Sequence, residues 1–147
     1  KADLEVVISG TYRLKLSTPS DRLNADLTAG KEGSVTLELE NQGSADLHGI
    51  NLSASTPTGW TVAFKPDSIE TLKSGEKKQV TASITPSAKA IAGDYMVTIT
   101  ASTDETSDSI DIRTTIHTST LWGFIGVVII FAVIAWVVTT FRKYGRR

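Results

Sequence analysis

The chain has 147 residues, with 15 Lys and Arg against 16 Asp and Glu, and therefore a net charge of −1. This near balance argues against a nucleic-acid-binding protein, because such proteins present a strongly basic face. Cysteine is absent and there are only two histidines, which excludes disulfide scaffolds, thiolate zinc sites and cysteine nucleophiles and leaves little material for histidine-based chemistry.

Residues 1–120 show the pattern of β-strands, because apolar residues recur there with a period of two rather than the 3.6 of helices. Turn-forming segments such as Asn41-Gln42-Gly43 and Ser74-Gly75-Glu76 separate the alternating stretches. The predicted strands are 3–8, 11–17, 34–41, 47–55, 60–65, 78–85, 94–102 and 108–117.

Seven or eight short strands with regular turns predict an all-β fold, an immunoglobulin-like antiparallel sandwich. We place this sandwich at residues 24–117 and interpret residues 1–23 as lead-in strands or as the end of a preceding β domain. Because no disulfide is available, burial of apolar side chains, at roughly 25 cal/mol per Å², must hold the two sheets together.

Residues beside the turns have structural interpretations. Trp60 follows a Pro-x-Gly turn and is expected to pack in the core, with ligand stacking as the alternative. Tyr95, at the start of a late strand, is placed to form a tyrosine corner, in which its hydroxyl bonds to nearby backbone. Asn41 suits an Asx turn, and Gly43 suits a turn with positive φ.

Acidic residues provide the candidate metal site. Asp104, Glu105 and Asp108 fall in one predicted loop, and Asp111 lies just inside the next strand. Oxygen-rich clusters of this kind bind Ca²⁺. The spacing lacks the repeated alternation and the glycine of a calcium loop, so a solvated loop is the alternative, and we predict no other metal and no cofactor.

The sequence predicts no enzymatic activity. The acidic residues are scattered, whereas glycoside hydrolysis needs two carboxylates facing each other across a cleft. No Gly-rich phosphate loop or activated serine is recognisable in the sequence. Sugar binding usually requires exposed aromatic rings, and Tyr12 and Trp60 are the candidate ligand surface.

Residues 121–141 contain no charged side chain. As a helix this run would be about 31 Å long, which matches the hydrocarbon core of a bilayer. A helix is required there because lipid offers no partners to backbone N–H and C=O groups. Residues 118–120 are then a short spacer, which we expect to hold the sandwich close to the membrane surface.

The tail, residues 142–147, is basic, whereas the preceding residues carry 11 basic and 16 acidic side chains, a net of −5. By the positive-inside rule, the tail is cytoplasmic and the sandwich lies outside a membrane that the chain crosses once. Because the sequence begins at Lys1 without an apolar export signal, we expect a longer precursor. The expected membrane-anchoring residues are Trp122, Trp136, Tyr144, Arg142, Lys143, Arg146 and Arg147.

Five short motifs occur in order within residues 24–103. They are Asn41-Gln42-Gly43, Pro57-Thr58-Gly59-Trp60, Phe64-Lys65-Pro66, Gly75-Glu76 and Ala92-Gly93-Asp94-Tyr95. In this order they resemble the alpha-galactosidase-associated "NEW-three" domain, an immunoglobulin-like module. The C-terminus is also similar to that of bacterial membrane proteins that carry such domains, some of them encoded beside ABC transporter components. The resemblance implies a non-catalytic module of the bacterial envelope and adds no metal. Together with the predicted span and cytoplasmic tail, it leads us to expect the chain in the bacterial plasma membrane.

Two functional hypotheses follow. The first is a membrane-anchored, extracytoplasmic module that docks or displays a membrane or envelope protein, for example as the accessory subunit of an ABC-type transporter. The second is a carbohydrate-associated module that holds an upstream domain near cell-surface glycan. Both hypotheses name membrane lipid as a partner and neither involves nucleic acid.

Overall fold

The computed structural model describes residues 9–118 and 121–145. The chain divides between His117 and Thr118 into two units, a β-sandwich and a helix. The described elements are β1 (Leu14–Ser17), β2 (Asn24–Thr28), β3 (Gly33–Asn41), β4 (Leu47–Ser55), β5 (Thr61–Lys65), β6 (Ser68–Leu72), β7 (Lys77–Thr85), β8 (Gly93–Ser102), β9 (Ser107–His117) and α1 (Leu121–Tyr144).

The sandwich consists of a four-stranded sheet in the order β1-β3-β7-β5 and a five-stranded sheet in the order β2-β9-β8-β4-β6. All paired strands are antiparallel except β2 and β9, which run parallel. Because β1 and β2 are consecutive but belong to different sheets, the chain changes sheet between them. The predicted immunoglobulin-like sandwich with one C-terminal helix is confirmed.

The strand registers define two ends of the sandwich. One end, which we call the far end, is formed by the turns after β3, β6 and β8. These turns lie together, as the pairs Glu40↔Lys77, Leu47↔Leu72 and Ser102↔Ser107 show. At the opposite end, which we call the exit end, lie the connections after β2, β4 and β7. Strand β9 also finishes at the exit end, where Ile116 pairs with Gly93.

Two strands, β2 and β6, were not predicted from alternation. In β2 only Leu27 is buried, because this short edge strand carries polar residues at most other positions. In β6 the buried residues Ile69 and Leu72 are three apart, which breaks the period of two. The predicted strand 11–17 begins only at Leu14, and the predicted strand 3–8 lies outside the described residues.

Apolar side chains from the alternating positions fill the space between the sheets. Burial of this kind is the main favourable term in folding, and it follows directly from the two-residue period of a strand. The most deeply buried large apolar side chains are Leu37, Leu39, Leu47, Ile50, Leu72, Ile84, Ile99, Ile112, Ile116, Val80 and Val97.

Helix α1 is apolar on all sides and buries none of its residues within the described structure. It has 24 residues and is therefore about 36 Å long. It continues three residues beyond the predicted span, and its last turn carries Arg142 and Lys143. Cations at this position are favourable because the C-terminal end of a helix carries partial negative charge.

Candidate functional site

The aromatic residues Trp60 and Tyr95 meet at the exit end. Their ring centroids lie 5.1 Å apart with the planes tilted by 50°, a geometry that stabilises an aromatic pair. The Tyr95 hydroxyl donates a hydrogen bond to the Ile91 carbonyl oxygen at 3.0 Å, which confirms the predicted tyrosine corner. Both residues therefore stabilise the connections that surround them.

The structure favours the core-packing interpretation of Trp60 over the ligand-stacking alternative. Only 7% of its surface is exposed, because the chain entering β5 turns the indole inward against Tyr95. An adjoining cavity of about 380 Å³ is lined by Pro57, Lys89 and Ile91 among others. Trp60 and Tyr95 also line this cavity, but the low exposure of the indole leaves little of its face accessible to a sugar ring.

Tyr12 is exposed, with 48% of its surface accessible, but it lies at the other end of the sandwich. Its neighbour Thr11 donates its backbone N–H to the Ser44 hydroxyl at 2.9 Å, which places this segment beside the β3–β4 turn at the far end. Since Trp60 lies at the exit end, the two candidate aromatic residues do not form one surface.

Asn41 connects the turns of the far end. Its side-chain amide donates to the carbonyl oxygens of Ala45 at 2.8 Å and Leu72 at 3.0 Å. Its side-chain oxygen accepts from the Gly43 N–H at 2.9 Å, which is the predicted Asx turn. The residue is fully buried, so these three bonds replace those that water would make.

Gly43 is needed for a different reason from the predicted one. The positive-φ glycines of the sandwich do not include Gly43. A Cβ atom at this position would lie 2.2 Å from the Thr11 carbonyl oxygen and 2.8 Å from the Arg13 nitrogen. Close approach of the N-terminal segment, rather than backbone conformation, therefore requires glycine here.

The acidic candidates do not assemble into a metal site. Among the described residues, no group of three or more His, Cys, Asp or Glu side chains could hold a metal ion. Asp108 accepts from the Leu16 N–H at 2.7 Å, and Asp111 accepts from the Thr98 hydroxyl at 2.6 Å. Asp104 and Glu105 are exposed in the β8–β9 turn.

The bond to Asp108 gives this carboxylate a structural role. Strand β1 is an edge strand, and edge strands leave backbone donors that can pair with other chains. The Asp108 carboxylate satisfies one such donor across 92 residues of sequence. At another edge, Lys78 Nζ donates to the Thr71 carbonyl oxygen at 2.9 Å. Side chains from the opposite sheet thus cover parts of both edges.

A charged cluster that the sequence analysis missed lies on the outer face of the five-stranded sheet. Asp94 accepts hydrogen bonds from Arg113 and, at 2.7 Å, from the Thr115 hydroxyl. These bonds lower the pKa of the Asp94 carboxyl. On the other sheet, the hydrogen bond to Glu38 and its charge raise the pKa of Lys77. Such pairs depend on strand register, which residue spacing along the chain does not reveal.

The predicted anchoring residues lie along α1. Trp122 and Tyr144 mark its two ends and Trp136 its second half, all three exposed. The Thr139 and Thr140 hydroxyls both donate to the Trp136 carbonyl oxygen, at 2.9 and 2.8 Å, so neither is left unpaired in an apolar helix. Arg146 and Arg147 lie outside the described residues. The helix is long and apolar enough to cross a membrane.

A family model for the NPCBM-associated, NEW3 domain of alpha-galactosidase matches residues 27–104, just over half of the chain. The chain belongs to this family. The NEW3 match begins in β2 and ends in the β8–β9 turn, and it confirms the resemblance predicted from the ordered motifs.

Similar folds occur in solved structures of other proteins. A family 123 glycoside hydrolase from Clostridium perfringens is 14% identical at a TM-score of 0.48, covering 74% of this chain and 28% of its own. The secreted serine protease VesC from Vibrio cholerae is 14% identical at 0.47, with 76% and 23% covered. A FixG-related protein from Vibrio parahaemolyticus is 12% identical at 0.48, with 72% and 94% covered.

The NEW3 chain thus spans only about a quarter of the first two of these proteins. At such identities and TM-scores their activities do not transfer to it. The search of curated proteins finds no match to the sequence.

Proposed function

We propose that this NEW3 chain is a non-enzymatic, extracytoplasmic docking module held in the bacterial plasma membrane by α1. One observation carries the proposal: residues 121–141 of α1, which are uncharged and long enough to span a membrane, follow a polar-faced sandwich, and the charged residues after them are all basic. The excess of Lys and Arg beyond the helix favours a cytoplasmic tail and an exported sandwich.

A docking role is supported by the roles of the polar groups in the sandwich. The carboxylates of Asp94, Asp108 and Asp111 are engaged in bonds to neighbouring strands. Groups with such fixed partners serve structure, whereas a hydrolase needs carboxyl groups directed into a cleft. The rigid sandwich presents turns at both ends, and loops on a rigid scaffold are where binding residues concentrate.

The partner to test first is an integral membrane protein, with an ABC-type transporter as the leading candidate because of the resemblance of the C-terminus. The full chain, purified with its native membrane in mild detergent, should retain the partner. A variant whose residues 121–141 are replaced by a polyleucine span keeps the anchor and tests whether the helix sequence contributes. If both forms purify without any membrane protein, the docking proposal is overturned.

The NEW3 family's association with alpha-galactosidase favours a second function, a carbohydrate-associated module. Tyr12 is the exposed aromatic residue that this function would use. Binding of the full chain to a glycan array, lost in Tyr12→Ala and kept in the matched variant Thr11→Ala, would support it. The absence of any glycan signal would contradict it.

A further inference from the structure

The β7–β8 loop, residues 86–92, lies at the exit end and contains three alanines, Lys89 and Ile91. Ile91 exposes 76% of its surface, more than any other large apolar side chain among the described residues of the sandwich. A single exposed isoleucine is ordinary on a protein surface, so its setting decides whether it has a function.

The setting is the end of the sandwich at which β9 finishes. Gly30 donates its N–H to the Pro86 carbonyl oxygen, and Ala29 donates to the His117 carbonyl oxygen, both at 3.2 Å. These bonds join the β2–β3 turn, the β7–β8 loop and the last residue of β9. Only three residues separate the end of β9 from the start of α1, and a chain of three residues spans at most roughly 10 Å.

The loop is fixed with its apolar side chain outward. The Tyr95 hydroxyl donates a hydrogen bond to the Ile91 carbonyl oxygen, and the Ala90 N–H donates to the Ser87 carbonyl oxygen at 3.0 Å. The Trp60–Tyr95 pair supports this arrangement from the core side. Because the backbone is already ordered, contact with another surface costs little conformational entropy.

The two ends of the sandwich differ in the charge of their connecting loops. The connections at the exit end carry exposed Lys31 and Lys89 against one acid, Glu32, whereas the far-end turns carry four acids, Asp46, Glu76, Asp104 and Glu105, against one base, Lys73. Basic side chains near a bilayer are attracted to anionic headgroups. Acidic turns are repelled by the same charge, so the exit end is the one that complements an anionic lipid surface.

We propose that the β7–β8 loop is a lipid-contacting surface, in which Ile91 enters the headgroup layer and Lys31 and Lys89 pair with lipid phosphates. This inference rests on the proposed membrane anchoring. The Trp60–Tyr95 pair then serves to hold a membrane-contacting loop rather than to bind sugar. A membrane protein that covers the same loop is the competing occupant.

The absence of cysteine from the sequence allows a direct test. Three variants of the full chain, Ile91→Cys, Glu105→Cys and Phe131→Cys, are each labelled with an environment-sensitive fluorophore and reconstituted into vesicles of phosphatidylcholine and phosphatidylglycerol. Lipids that carry a quencher in the headgroup region or along the acyl chain then report the depth of each position. Glu105 is the matched exposed control at the far end, and Phe131 reports the span.

We expect headgroup-region quenching and a blue shift at position 91, no quenching at 105, and acyl-chain quenching at 131. Adding Lys31→Glu and Lys89→Glu to Ile91→Cys should reduce the quenching at 91. Quenching at 131 without any at 91 overturns the lipid contact while anchoring stands, and it favours a protein as occupant. Equal quenching at 91 and 105 overturns the specific role of the loop. Lack of quenching at 131 overturns the anchoring itself.

Discussion

Asn41 provides the sharpest test of what holds the far end together. Replacing it with alanine removes three hydrogen bonds and leaves the Ala45 and Leu72 carbonyl oxygens and the Gly43 N–H without their partner. An unsatisfied buried group costs about 1–3 kcal/mol. We therefore expect Asn41→Ala to lower the free energy of unfolding by about 3–6 kcal/mol, allowing for water that reaches the turn.

Asn41→Asp tests the same site with almost no change in volume. It keeps the acceptor for Gly43 but places a carboxylate oxygen against two carbonyl oxygens that now receive N–H donors at 2.8 and 3.0 Å. Burial and these carbonyls disfavour the charged form, so the pKa of the introduced carboxyl is raised in the folded state. The loss of stability is therefore full at neutral pH and shrinks as the pH falls.

The assay is urea unfolding of the full chain in detergent micelles, followed by pulse proteolysis of the sandwich, because three tryptophans complicate fluorescence. Gln42→Ala is the matched control, since Gln42 is exposed and, within residues 9–118, its side chain bonds only to Glu40, at 3.1 Å. The control should change stability by less than about 0.5 kcal/mol. A cost below about 1 kcal/mol for Asn41→Ala would refute the assigned role of the buried amide.

Three further predictions concern single groups. The buried Thr114 hydroxyl has no hydrogen-bond partner among the described residues, so Thr114→Val should raise the free energy of unfolding by about 1–3 kcal/mol. Gly43→Ala should destabilise by more than about 1 kcal/mol, because a Cβ atom there would meet the backbone of Thr11 and Arg13. The pKa of Asp94 is lowered from its ordinary 3.8, so its stabilising effect is complete above that pH and is lost as the pH falls through the lowered value. Asp94→Asn should therefore flatten the acid limb of a stability–pH curve, slightly because the pair is exposed.

The same urea assay measures each of these changes. For Thr114→Val, the comparison is Thr115→Val, which removes a hydroxyl that is bonded to Asp94 and should not stabilise. Gly49→Ala is the contrast to Gly43→Ala: its positive φ gives strain but no clash, since no atom lies within 4 Å of the added Cβ. An Asp94→Asn curve that coincides with the parent curve between pH 2 and 5 would contradict the lowered pKa.

Sequence alternation predicted the long strands because each of them buries one face. In β3, β7, β8 and β9, inward and outward residues alternate over nine residues or more, and a helix cannot bury such a pattern. Strand β2 has a single buried residue and β6 has two that are three apart. Short edge strands thus carry too few inward positions to establish a period.

Turn chemistry could be predicted locally but not across the fold. The Asx turn of Asn41 follows from residues 41–43 alone, whereas its bond to the Leu72 carbonyl spans 31 residues. The same limit applies to Asp108, which the sequence offered as a calcium ligand and which instead accepts from Leu16. Partners at such separations are set by sheet order, and sheet order was not predicted.

The aromatic candidates show the same limit at the proposed site. The sequence placed Trp60 and Tyr95 near turns, but their contact depends on the four-stranded and five-stranded sheets facing each other. Ile91 gave no signal at all, because a lone apolar residue in a loop belongs to no period. Its exposure and its position beside the end of β9 emerge only from the folded chain.

Membrane topology is the claim on which the proposed function depends. Glu105→Cys and Lys143→Cys variants of the otherwise cysteine-free chain, expressed in cells, are treated with a membrane-impermeant maleimide before and after permeabilisation. An anchored chain with an exported sandwich predicts labelling at 105 in intact cells and labelling at 143 only after permeabilisation. Labelling at 143 in intact cells, with 105 protected, would contradict it.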